Sequence, residues 1–221
     1  MNDLTVIFLT VNRVPEGWAK YQMSILLEAI GEDTPLIAIS RIPIPYVDSA
    51  WNLIQDEEPS VSNIYKQVLR GAKMAETPYI AIAEDDTLYH KEHFAFRPPM
   101  DTYAYDMHRF GLFTWGKPTY YYKDRISNAA MIAPRKLVIE SLEERFKKYP
   151  ENRIGELGKE KGTTINRHKS IGFWPTYAMI YFSHVNSLDG TEQRKTKKMG
   201  AVRAYDIPYW GRSEELVKHW I

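Results

Sequence analysis

The chain opens on LTVIFLTVN (residues 4–12), an unbroken apolar and β-branched run that predicts a buried strand. Pro15 and Gly17 mark a turn. Trp18, Tyr21, Ile25, Leu26, Ala29 and Ile30 then recur near helical spacing, and Gly31 is placed to end that helix. PLIAISRI (35–42) reads as a second strand. The Pro-rich RIPIPYVDSAWNLIQDEEPS (41–60) reads as a loop. From Ser62 onward, Ile64, Tyr65, Val68, Leu69 and Ala72 fall on one helical face, and TPYIAIAEDD (77–86) follows as a third strand. Strands alternating with helices predict an α/β protein with a mostly parallel, Rossmann-like central sheet flanked by helices. Ligands of such sheets bind beyond the carboxyl ends of the strands.

After residue 90 the periodicity loosens. FGLFTW (110–115) and RISNAAMIAP (125–134) predict strands, and RKLVIESLEERFKKY (135–149) predicts a helix with Leu137, Val138, Ser141, Leu142 and Phe146 near one stripe. GELGKEKGTTINRHKS (155–170) is polar and reads as a loop or short helix. GFWPTYAMIYFSHVN (172–186) holds another strand. The last forty or so residues form a basic, aromatic extension without clear period.

The 221 residues carry 44% hydrophobic and 26% charged side chains, enough for a sizeable core in one domain. There is no cysteine, which excludes disulfides, zinc–thiolate sites and thiol nucleophiles. No segment is long enough to span a bilayer, and the first apolar run has no basic leader, so the expectation is a soluble, cytoplasmic protein. The net charge of +1 conceals an asymmetry. Residues 1–110 hold 9 Lys and Arg against 16 Asp and Glu, a net of −7, and residues 111–221 carry the compensating +8. Acids that hold a cation, opposite bases that grip phosphate, would give this division. There is no G-x-G-x-x-G, no Walker-type loop and no G-x-S-x-G elbow, which disfavours dinucleotide oxidoreductases, P-loop enzymes and α/β-hydrolases.

The chemistry concentrates in two places. The first is the triplet Glu84, Asp85 and Asp86 at the end of an apolar strand. Mg²⁺ and Mn²⁺ take oxygen ligands and bridge carboxylates to substrate phosphates. If strand alternation continues, Glu84 and Asp86 point to one side and Asp85 to the other. The second is SHVNSLDGTEQRKTKKMG (183–200), in which His184 follows an apolar strand and precedes a basic loop.

NIYKQVLRGAKMAETPYIAIAEDD, with its helix, Thr-Pro turn, strand and acids, resembles the glycosyltransferases of the GT-A fold, particularly the family 2-like group; TVIFLTVNR matches in style. The resemblance implies one GT-A-type catalytic domain over residues 1–221. Residues 1–90 would form the nucleotide-sugar-binding half. Residues 91–221 would form the acceptor half, with a loop that closes over the donor. It further implies a D-x-D-like metal site in which Asp86 takes the aspartate position and Glu84, a departure from the motif, joins it in holding the cation or contacts the donor through a ribose hydroxyl or metal-bound water. The late His184 completes the coordination, and its imidazole leans the metal toward Mn²⁺ over Mg²⁺. Arg194, Lys195, Lys197 and Lys198 would neutralise the nucleoside diphosphate. Thr10, Asn12, Arg13, Arg41, Asn63, Lys66, Asp85 and Asn186 are further donor-contact candidates. Inverting transfer needs a carboxylate base, for which Glu156, Glu151 and Asp124 are the candidates, Glu156 preferred for its neighbouring glycines. His90 and His93 are read as a surface pair.

The acceptor is left open. The +8 half, with TYYYKDR and RKTKK interleaving aromatic and basic residues, suits a polyanion such as DNA carrying hydroxymethylated bases. A glycan or lipid-linked acceptor is the other choice. A nucleotidyltransferase that uses the same strand-end carboxylates, or a non-enzymatic nucleic-acid-binding domain, are the alternative readings.

Overall fold

A computed structural model describes residues 3–123, 125–148, 169–184 and 202–220. Seven strands build the central sheet: β1 (Leu4–Leu9), β2 (Leu36–Ser40), β3 (Asn52–Ile54), β4 (Tyr79–Glu84), β6 (Thr102–Asp106), β9 (Met131–Pro134) and β10 (Lys169–Phe173). Their order is β10-β6-β9-β4-β1-β2-β3, and β9 alone runs antiparallel to its neighbours. The sheet is therefore mostly parallel, as the alternating pattern predicts.

Alternation distributes the strand side chains between two cores. Leu4, Val6 and Phe8 of β1 pack with Met23, Leu26 and Ile30 of α1 (Glu16–Ile30). Ile7, Ile80 and Ile82 face the other way, onto α2 (Val61–Met74) and α3 (Arg135–Lys148). Both faces are thus covered, which is why these strands read as continuous apolar runs. Gly31 ends α1 at φ +74°, a conformation glycine adopts without steric cost. Ser60 caps α2, its side chain accepting from the Asn63 amide at 3.0 Å.

A second sheet, in the order β12-β8-β7-β11-β5, stands against the carboxyl ends of the first. It comprises β5 (Thr87–Leu88), β7 (Arg109–Phe113), β8 (Tyr120–Tyr122), β11 (Met179–Ser183) and β12 (Arg203–Ala204). Its core joins Leu88, Leu112, Tyr120, Ile180 and Phe182 to Trp18 of α1 and Leu216 of the C-terminal turn α4 (Ser213–Leu216), with the hairpin β13 (Asp206–Ile207) and β14 (Gly211–Arg212) beside it. Among the described residues no helix is long and apolar enough to cross a membrane.

Several elements differ from the sequence expectation. The 41–60 loop contains a short 3₁₀ turn (Ser49–Trp51) and the edge strand β3. Thr102–Asp106, Tyr120–Tyr122 and the polar Lys169–Phe173 are strands. His90 and His93 are buried rather than a surface pair: His93 Nδ1 lies 2.9 Å from Asp106 Oδ2, and His90 packs edge-on against Tyr177 and Tyr209.

Candidate functional site

The carboxyl end of β4 opens onto a cavity of about 340 Å³. The strand stops at Glu84, and Asp85 and Asp86 form a turn into β5. Alternation therefore lapses before Asp85, and all three acids line the same cavity, contrary to the expected split across the strand. The turn is held from three sides. Trp18 Nε1 donates to the Asp85 carbonyl at 2.7 Å, the Phe182 amide donates to the Asp86 carbonyl at 2.7 Å, and the Tyr89 hydroxyl accepts from the Glu84 amide at 3.0 Å.

The three carboxyls differ in surroundings. Thr10 Oγ1 donates to Asp85 and in turn accepts from the Asn12 amide at 2.8 Å. Burial, with the charge of Asp86 added, pushes Asp85 up to about 7 despite the Thr10 hydrogen bond. Burial likewise pushes Glu84 up to about 8, reinforced by Asp86 and Asp85 and opposed by Arg109. Asp86 accepts from Thr87 Oγ1 at 2.9 Å, and its Oδ2 lies 3.8 Å from Nε2 of His184.

Among the described residues no group of three His, Cys, Asp or Glu side chains is assembled as a metal cage. Asp86 and His184 are nonetheless a pair that one ion can span. With bonds of about 2.1 Å, two donors on the same cation lie between about 3 and 4.2 Å apart. An oxygen and an imidazole donor suit Mn²⁺, and such ions complete their shell with water and substrate phosphate.

One flank of the cavity comes from α2 and the loop before it. Gln55, Asn63 and Gln67 form a buried amide chain there: Asn63 Nδ2 donates to Gln55 Oε1 at 3.2 Å and to the carbonyls of Glu57 and Glu58, and Gln67 Nε2 donates to Asn63 Oδ1 at 2.8 Å. Ile39, Val61 and Ile64 supply apolar surface beside it. A second flank comes from the second sheet, through Tyr121, Lys123, Arg125, Tyr181 and Ser183 next to His184.

Of the residues singled out in the sequence, Thr10, Arg13, Asn63, Glu84, Asp85, Asp86 and His184 line this cavity. Asn12, Arg41 and Lys66 do not. Asn12 sits at φ +55° and its Oδ1 accepts from the amides of Arg41 and Ile42, clasping the ends of β1 and β2. Arg41 Nη2 donates to the Asp56 carbonyl at 3.3 Å, and Lys66 pairs with Glu57 at 2.7 Å on the surface. Asp124, Glu151, Glu156, Asn186, Arg194, Lys195, Lys197 and Lys198 lie outside the described residues. In TYYYKDR, Tyr120, Tyr121 and Lys123 are buried, and Tyr121 and Lys123 line the cavity. Tyr181, Gln55 and Gln67 line the cavity without having been singled out in the sequence, and Tyr121 and Lys123 figure there only within TYYYKDR, as a polyanion surface and not as donor contacts. Parity within YYYK, which puts Tyr121 and Lys123 on one side of a strand, was the available signal for these two.

No protein-family model matches the chain, and neither does any curated protein. Among solved structures, a glycosyltransferase involved in glycosylation of the major capsid of PBCV-1 is similar over 88% of this chain and 96% of its own, with a TM-score of 0.43 and 11% identity. A nucleotidyl transferase from Methanothermobacter is similar over 65% and 76%, with a TM-score of 0.40 and 14% identity. The Drosophila β-1,4-galactosyltransferase 7 mutant, solved with manganese, UDP-Gal and xylobiose, is similar over 98% and 80%, with a TM-score of 0.40 and 11% identity.

Proposed function

We propose that this protein is a GT-A-type glycosyltransferase that uses a divalent cation, Mn²⁺ in preference to Mg²⁺, to move a sugar from a nucleoside diphosphate to an acceptor hydroxyl. The observation that carries this reading is the approach of Asp86 and His184 to 3.8 Å within a strand-end cavity that also holds cationic side chains. Asp86 and His184 would hold the cation, which when bound supplies positive charge to the diphosphate. The amide and apolar flank has the character of a nucleobase pocket, polar at a few fixed points and otherwise dry. Thr10 fixes Asp85, and the turn bonds from Trp18 and Phe182 fix the direction in which Asp86 faces. Arg194, Lys195, Lys197 and Lys198 are assigned to neutralising the leaving group, Asn186 to the donor, and Glu156, Glu151 or Asp124 to taking the acceptor proton.

The test is a panel of nucleotide sugars with Mn²⁺, read as release of nucleoside diphosphate, with and without DNA carrying hydroxymethylated bases. Release from one donor, lost in Asp86→Ala with an unchanged circular dichroism spectrum, is the expected result. Stimulation by the modified DNA would assign a polyanionic acceptor, and its absence would point to a glycan. Full activity of Asp86→Ala, or of wild type in excess chelator, would overturn the metal reading. Pyrophosphate release from a nucleoside triphosphate and a sugar phosphate would identify a nucleotidyltransferase instead.

A further inference from the structure

The cavity carries its own cationic wall, built by the second sheet. Gly111 of β7 pairs with Tyr121 of β8 on one side and Tyr181 of β11 on the other. Because Gly111 has no side chain, the two tyrosine rings lean across it and meet. A Cβ at that position would overlap Tyr121 Cζ and its hydroxyl, and would lie 2.6 Å from Tyr181 Cζ. The Tyr181 hydroxyl donates to the Tyr121 hydroxyl at 2.8 Å, and Tyr121 bonds Ser183 Oγ at 2.8 Å, one residue before His184. Lys123 extends over this platform. Its Nζ lies 4.9 Å from the Tyr121 ring centre and 5.9 Å from that of Tyr181, and the residue is only 8% exposed while still lining the cavity.

A lysine so placed is unusual, since burying an ammonium is costly unless charge or π-density faces it. The aromatic faces hold the side chain in one direction, and the residue lines the cavity that Glu84, Asp85 and Asp86 also line. With Asp86 and His184 engaged by a cation, the group best matched to both the cation and a fixed ammonium is a phosphate chain.

We propose that Lys123, seated on Tyr121 and Tyr181, is the residue of this cavity that binds the diphosphate of the donor. This rests on the nucleotide-sugar reading of the cavity. Lys123 contributes a charge-assisted hydrogen bond to a phosphate oxygen, pre-oriented by the tyrosine pair, so its contribution falls on the phosphates and not on the nucleoside.

The test is calorimetric titration of wild type, Lys123→Met and Lys123→Arg, each with Mn²⁺. The probes are UDP, GDP, ADP and CDP, the corresponding nucleosides, and inorganic pyrophosphate. Thermal melts of each variant confirm that the fold is kept. For the diphosphate that wild type binds best, Lys123→Met should weaken affinity by about 10- to 100-fold, with the matching nucleoside changed less than about twofold and Lys123→Arg intermediate. Unchanged diphosphate affinity, or equal losses for diphosphate and nucleoside, would overturn the proposal, the second outcome marking Lys123 as a packing residue. If wild type binds no nucleotide, the underlying reading fails. In that event Lys123-dependent pyrophosphate binding still supports a phosphate site at Lys123, and Lys123-independent or absent pyrophosphate binding overturns it.

Discussion

Gly111→Ala puts one methyl group where two tyrosine rings already meet. The new Cβ would overlap the Tyr121 ring end and lie 2.6 Å from Tyr181 Cζ, so at least one ring must move by about an ångström to regain ordinary contact. Neither is free to do so cheaply. Tyr121 is 1% exposed and bonded to Ser183 and Tyr181, and its ring stacks 4.7 Å from Phe113. Overpacking a filled interior costs about 1–3 kcal/mol, and losing one buried hydroxyl bond adds about 1 kcal/mol, so a destabilisation of about 3 kcal/mol is expected. Gly116→Ala is the control. Nothing lies within 4 Å of its Cβ, and only its φ of +72° is penalised, at about 1 kcal/mol. Urea unfolding of both variants measures the difference. Tyr121→Leu should remove the Tyr121 part of the clash and free Tyr181 to shift, so the double variant Gly111→Ala/Tyr121→Leu should be more stable than the sum of the single changes by about 1 kcal/mol or more. Additive energies, or a Gly111→Ala cost no larger than that of Gly116→Ala, would refute the idea that the glycine exists to let the rings meet.

Other expectations follow from the same geometry. Asp86→Ala and His184→Ala should each lower Mn²⁺ affinity at least about tenfold, read from the spectrum of free Mn²⁺ by electron paramagnetic resonance; an unchanged affinity in either would remove that residue from the pair. Asp106→Ala should destabilise by about 3 kcal/mol in urea melts, since it strips partners from buried His93 and from the His108 amide; a cost below about 1 kcal/mol would contradict this. Asn12→Ala loses two accepted bonds and strains a left-handed backbone, for about 2–3 kcal/mol, whereas Asn12→Gly should cost about 1 kcal/mol less; equal losses would show the backbone conformation to be unimportant. Arg41→Ala and Lys66→Ala should leave nucleotide affinity within about twofold by titration calorimetry, because neither side chain lines the cavity.

The parallel core was legible because its strands are buried on both faces and its helices are bounded by Pro, Ser and Gly. What escaped had weaker local signals. Tyr103 and Tyr105 of β6 face the α2–α3 core and Ala104 the α1 core, so TYAYD shows no in–out polarity. KSIGF is an exposed edge strand defined by its pairing with β6 rather than by its own composition. The acids and His184 stood out as charge at strand ends. The split assigned to Asp85 failed because no Gly or Pro marks the turn after Glu84, whose direction is set by distant Trp18 and Phe182. Gln67 lies off the apolar face of its helix, yet it is buried and joins Asn63, a donor-contact candidate that does line the cavity, in one chain of amides.

The strap from the Phe182 amide to the Asp86 carbonyl, with the β5–β11 pairing of Thr87 to Tyr181 and Leu88 to Ile180, joins points about a hundred residues apart in the chain. A nascent chain that has emerged only as far as β9 has six of the central sheet's seven strands and all three acids, but neither His184 nor β11. The cation binding proposed for Asp86 and His184 together would thus be a property of the completed topology, and Mn²⁺ capture during refolding would time the docking of the second sheet rather than the formation of the first.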